Sequence, residues 1–115
     1  MSADPRHKSS PLLDGPDRAV ARRIADALIE ARLAACVNLL AECTSVYRWK
    51  GEIETAAEVP LLIKTRSEIF DEVEAAIRRL HPYELPEIIA LPIERGSPDF
   101  LDWVYAQTNP EMAAE

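Results

Sequence analysis

His81-Pro82-Tyr83-Glu84-Leu85-Pro86-Glu87 is the stretch of this chain densest in reactive groups. A helix must stop at the first proline, whose ring fixes φ and removes a backbone donor. An imidazole, a phenol and two carboxylates then crowd a rigid turn ahead of an apolar segment, which is how a scaffold presents a binding site. His81 is the imidazole of that set and a candidate functional residue. Its plainer role is to end the helix, with the ring bonding a terminal carbonyl. Cys36 is either a small buried hydrophobe or a ligand-facing thiol. A Cys36–His81 nucleophile pair would need hydrogen-bond reach and a third orienting group. Nothing in the sequence shows one, and the chain is read as non-enzymatic. Cys43 has no motif around it.

Four further side chains need a position before they mean anything. Trp49 flanks a hairpin tip with Tyr47 and either covers a sheet or subunit contact or stacks on a ligand. Lys64 either pairs with Glu87 across a sheet or binds an anion in a cleft. Tyr83 and Glu87 are either turn residues or pocket walls.

The elements that would carry these groups follow from hydrophobic spacing. Pro16-Asp17 opens a helix, with Asp17 as N-cap and Val20, Ile24, Ala27, Leu28 and Ala31 as its apolar stripe. Ala34 to Trp49 reads as a long strand interrupted near Glu42 to Ser45 by a kink or bulge. Lys50-Gly51 supplies a two-residue turn. On the return, Ile53, Ala57, Val59, Leu61 and Ile63 alternate with Glu52, Glu54, Glu58 and Lys64, so the odd-numbered face is expected to be buried. Pro60 belongs at an edge or a bulge. Thr65-Arg66-Ser67-Glu68 has the form of a capping box. The helix behind it buries Ile69, Val73, Ala76, Ile77 and Leu80. Glu87 to Ile93 is expected to be a short buried strand. Ser97-Pro98-Asp99 caps a last helix, whose Phe100, Leu101, Trp103 and Val104 are expected to pack on the sheet. The order is that of an α+β sandwich, ferredoxin-like if a strand precedes the first helix.

Composition bounds the partners. A length of 115 residues, 48% hydrophobic and 29% charged, fits one globular domain. Thirteen basic against 20 acidic side chains leave a formal charge of −7, which disfavours phosphate backbones and anionic membranes and favours cations. Cys36 and Cys43 form neither a disulfide framework nor a zinc spacing, and free thiols fit a reducing cytosol. No apolar run approaches a membrane span of about 18 residues, and the start lacks a signal peptide's apolar core. The expected location is cytoplasmic, with no nucleic acid and no membrane as partner. Residues 1–11 read as a polar tail, 12–108 as the domain and 109–115 as a second tail.

Arg32-Leu33-Ala34-Ala35-Cys36-Val37-Asn38, Tyr47-Arg48-Trp49-Lys50-Gly51 and the His81-Pro82-Tyr83 block together resemble the CutA divalent-cation tolerance family, in order and in spacing. The resemblance covers roughly residues 16 to 107 and implies a ferredoxin-like sandwich with a long β-hairpin and an extra C-terminal helix. It also implies a homotrimer whose sheets meet around a threefold axis, and a role in tolerance of copper(II) or another divalent cation. The residues it places near an intersubunit cleft are Cys36, Trp49, Lys64, Tyr83 and Glu87, with His81 as the metal ligand.

Two departures bear on that implication. Where the family has an apolar first strand running into Cys-Pro-Asp, this chain has Pro11-Leu12-Leu13-Asp14-Gly15-Pro16-Asp17, so the first strand is weak or truncated and the thiol is replaced by Gly15. The residue before His81 is Leu80, which leaves one histidine in that block. Three copies of His81, or His81 with a neighbour's carboxylate, would complete a site at an interface. The family's architecture also resembles PII-like signalling trimers, which bind small molecules between subunits. With three glycines and no phosphate-cradling loop, a nucleotide has little support as that ligand.

Overall fold

The computed structural model describes residues 15–81 and 87–109. Helix α1 spans Gly15–Glu30 and is followed by four strands, β1 (Cys36–Leu39), β2 (Cys43–Trp49), β3 (Glu52–Glu58) and β4 (Leu61–Lys64). A single 3-10 turn at Ser67–Ile69 leads into α2 (Phe70–Leu80), and α3 covers Pro98–Gln107. The fold is α+β, with β1 paired antiparallel to β4 and β2 antiparallel to β3.

The core lies where α1 and α2 cover the β1–β4 ladder. Val20, Ala21, Ile24 and Leu28 of α1 meet Val73, Ala76 and Ile77 of α2 over Val59 and Leu61. This is the helical stripe expected from the sequence, with Ala21 and Ala25 buried in place of the half-exposed Ala27 and exposed Ala31. Arg22 and Asp26 take the wet face as an exposed i,i+4 pair at 3.0 Å. Such a pair adds only a few tenths of a kcal/mol, about 0.3–0.5. After α1, Arg32 adopts φ 59°, and the amides of Leu33 and Ala34 both donate to Leu28 O. That reversal ends the helix and aims the chain into β1.

The hairpin forms at the expected turn. Trp49 pairs with Glu52, and Lys50 (φ 51°) and Gly51 (φ 84°) bridge them, the double positive φ that suits the twist of a two-residue hairpin. Its buried face is the reverse of the one expected. Ala56 and Glu58 are buried, whereas Ile53 is 69% exposed and Val46 68%. Glu58 and Val59 are both buried in succession, so the alternation slips there by one residue. A one-residue slip exchanges the two faces of everything beyond it. Pro60, which has no donor, sits at the break, with its carbonyl accepting from Leu40 N at 3.0 Å. The odd-face rule therefore holds for β4, where Leu61 is buried and Leu62 exposed, and fails for β3. The interruption on the outgoing side falls at residues 40–42, just before the expected kink.

Four other expectations change. Helix α1 begins at Gly15, ahead of the Asp17 proposed to cap it. The capping box does not form: the cap position falls on Arg66, which makes no side-chain capping bond, and the Thr65 hydroxyl instead donates to Leu33 O at 2.7 Å. Residues 87–93 form no strand, and Ile89, Leu91 and Ile93 are exposed, Leu91 by 82%. A strand requires a neighbour for its amides and carbonyls, and no described strand pairs with this segment. Finally, α3 begins at Pro98 as expected, but of its apolar residues only Val104 is buried. Phe100, Leu101 and Trp103 remain exposed. The proposed first strand lies outside the described residues.

Because Gly51 holds φ 84° with open space around its α-carbon, Gly51→Val should lower stability by about 1 kcal/mol through backbone strain alone. Lys50→Asn, which tolerates positive φ better, should not. Denaturant midpoints at unchanged m-value would test this pair.

Candidate functional site

Cys36 and Lys64 are direct cross-strand partners at one end of the β1–β4 ladder. Opposite residues of an antiparallel pair share a face, and Asn38 lies on that same face two positions along. Asn38 Oδ1 accepts from the Lys64 ammonium, and it stands 3.8 Å from Cys36 Sγ. Thiol, carboxamide and ammonium thus form one small polar cluster, half-buried except for the exposed Asn38. Among the described residues, no ion pair joins Lys64 to Glu87.

His81 closes α2. Its amide donates to Ile77 O at 2.8 Å, and its ψ of 126° turns the chain out of the helix. The residue is only 7% exposed, so its imidazole is packed inside the subunit. Glu87 is half-buried, and Tyr83 lies outside the described residues.

Trp49 stands apart. It is half-buried at the hairpin tip, with the Lys50 ammonium 5.5 Å from its ring centroid. Six residues of strand from Cys43 carry it about 20 Å away from the ladder end of the hairpin. Tyr47 packs on Ala56 on the same face. On that face Glu58, buried, accepts from Ser45 Oγ at 2.6 Å.

A second feature was not singled out from the sequence. The Arg66 guanidinium donates to Thr108 Oγ1 at 3.0 Å and to Thr108 O at 2.8 Å and lies 5.0 Å from the Tyr105 ring centroid. The forked, planar cation suits two acceptors and an aromatic face together. It ties the end of α3 to the start of α2. Between these elements, Leu62, Ile63, Ile89, Leu91, Leu101 and Tyr105 line a groove of about 690 Å³ that is mainly apolar.

One chain therefore brings Cys36 and Lys64 together and leaves His81 and Trp49 elsewhere. Among the described residues, no group of three or more His, Cys, Asp or Glu could hold a metal ion. Nor is any described helix long and apolar enough to cross a membrane.

A helical layer on antiparallel strands, with a projecting hairpin and an added C-terminal helix, defines a small α+β protein of the ferredoxin-like kind. Residues 12–107 match the CutA1 divalent ion tolerance protein family, and the chain belongs to it. It is 47% identical over 98 residues to the divalent-cation tolerance protein CutA of Thermus thermophilus, covering 85% of this chain and 95% of that one. It is 46% identical over 105 residues to protein CutA of Mus musculus, covering 91% of this chain but only 59% of the mouse protein's length. Among solved structures, the Thermus thermophilus divalent cation tolerance protein superposes with a TM-score of 0.79 at 48% identity, over 82% of this chain and 91% of that chain. The periplasmic CutA of Archaeoglobus fulgidus superposes with a TM-score of 0.77 at 45% identity, over 79% and 88%.

Both thiols are free, Cys43 exposed and Cys36 half-buried. Thiol reactivity depends on access as well as ionisation, so a disulfide reagent should label Cys43 first. Mass mapping of the singly labelled protein checks this, and prior labelling at Cys36 would contradict the placement described.

Proposed function

We propose that the protein is a homotrimeric, non-enzymatic divalent-cation tolerance protein of the cytoplasm that binds copper(II) or another divalent cation. Its membership of the CutA1 family carries this reading. The functional unit is residues 12–108. The charge of −7 per chain favours the approach of cations to the surface, and assembly multiplies it.

Assembly is supported by what one chain leaves uncovered. Val46, Ile53 and Leu91 are 68%, 69% and 82% exposed, and the rings of Phe100 and Trp103 meet at a tilt, 5.8 Å between centroids, still open to solvent. Apolar surface of this extent on a small domain marks an interaction face. The molecule measures 49 × 26 × 23 Å, a long shape for one domain, and an extended hairpin of this kind is suited to reach a neighbour. A neighbour's hairpin would deliver Trp49 to the Cys36–Lys64 end of the ladder, with Tyr83 and Glu87 as further walls of the same cleft. His81 supplies one ligand to the cation, and a carboxylate or a second His81 from another copy completes the shell. Cation binding is then coupled to assembly.

Calorimetric titration of the metal-free protein with Cu(II) in a non-chelating buffer should show saturable binding, and sedimentation velocity should give three chains. His81→Ala should bind at least about tenfold more weakly while remaining trimeric, with its metal-free Tm recorded because the side chain is buried. Unchanged copper affinity in that variant would remove His81 from the site. A monomer in sedimentation would remove the coupling.

A further inference from the structure

The two ladders are consecutive stretches of one ribbon, and their registers differ by one residue. The core-side ladder runs from Cys36–Lys64 to Leu39–Leu61 and continues to Leu40, whose amide donates to Pro60 O at 3.0 Å. The hairpin ladder begins at Cys43–Glu58. Ala41 and Glu42 therefore stand opposite Val59 alone, which is a β-bulge, and a bulge bends its strand and sharpens the local twist. Val59 is buried in the core while Ala41 and Glu42 are exposed. The bulge is thus the pivot at which the β2–β3 hairpin leaves the body of the molecule.

The pair next to this pivot is one bond short. Directly opposed residues of a hydrogen-bonded pair exchange both N–H···O bonds. Leu40 gives its amide to Pro60, but a proline has no amide hydrogen to give back. The ladder thus leaves Leu40 O without its backbone donor at the position where the ribbon bends. Arg18 of α1 fills that place, its Nη1 donating to Leu40 O at 3.0 Å. The same helix buries Val20, Ile24 and Leu28 in the core, so the guanidinium joins the pivot to the packed helical layer.

We propose that Arg18 and Pro60 together form a latch on the hairpin. The proline withholds the amide that would make the ribbon continuous, and the arginine supplies a donor from the helix instead. With the guanidinium on Leu40 O, the hairpin holds one angle to the core; released, it swings about the bulge. Arg18 is exposed, so its bond opens to water without disturbing a buried contact. Reach amplifies the swing. At about 3.3 Å per residue the tip of β2 stands about 20 Å from the pivot, so a rotation of about 10° displaces Trp49 by about 3–4 Å. Arg18 is therefore a positioning residue for the hairpin tip. The latch lies within one chain and stands or falls independently of cation binding.

A double-mutant cycle on the full-length protein, read by amide hydrogen exchange and relaxation dispersion, tests this. Methionine keeps the apolar stem and helix propensity of arginine without its donors, so R18M opens the latch and leaves α1 intact. In R18M the Leu40 amide should exchange at least about fivefold faster than in the wild type. Residues 43–58 should also acquire microsecond-to-millisecond motion. In R18M/P60A both effects should disappear, because position 60 then has an amide for Leu40 O, and that amide should itself exchange slowly. Unchanged exchange at Leu40 in R18M would overturn the latch. Equal loosening by R18M with and without P60A would overturn it too, since Arg18 would then act through the charge of α1 rather than through the missing amide. If R18M does not fold, rescue of folding by P60A supports the proposal, and failure of both chains refutes it.

Discussion

The packing of α1 and α2 onto β4 is the contact on which the rest of the molecule depends. Ile24, Leu28, Val59 and Val73 are the largest fully buried apolar side chains, and all belong to that layer. Each is worth roughly 1.5–3 kcal/mol in burial. The same layer also sets geometry. Leu28 O receives the amides that turn the chain into β1, and Thr65 binds Leu33 O from the far end of β4. Remove this layer and neither end of the ladder has a fixed position, and Cys36 no longer faces Lys64.

Outside that layer the chain is thin. The β2–β3 hairpin has a satellite cluster of its own, formed by Ala56 and Tyr47, rather than a share in the main core. It is held by its ladder and by the positive-φ turn at Lys50 and Gly51. Helix α3 is anchored at its far end, where Val104 and Thr108 are buried and Arg66 clasps Thr108. Its first turns leave Phe100 and Trp103 in solvent. Apolar side chains left exposed on projecting elements are the observation on which the proposed assembly rests.

The candidate site is divided in the same way. Its ammonium and one thiol sit at the ladder, its imidazole inside the subunit at the end of α2, and its indole at the hairpin tip. No rotamer change within one chain closes a gap on the scale of the hairpin's length. Divided chemistry of this kind is what the proposed symmetric assembly would bring together.

Much of this was readable from residue order. The stripes of α1 and α2, the Lys50-Gly51 turn and the family motifs all depend on neighbours within a few positions, and local periodicity reports such neighbours directly. Three things were decided by tertiary structure. The face that β3 buries depends on where the alternation slips at Glu58 and Val59, and a slip beside a proline has no local signature that fixes its phase. Thr65 does not cap the following helix: its hydroxyl is directed at Leu33 O, distant in sequence, and the cap position falls one residue later, on Arg66. Among the described residues, the segment at 87–93 has strand composition without a strand's partner, and a ladder cannot be satisfied by one chain segment alone. Local pattern determined which elements exist; long-range hydrogen bonding and burial determined which of their faces meet.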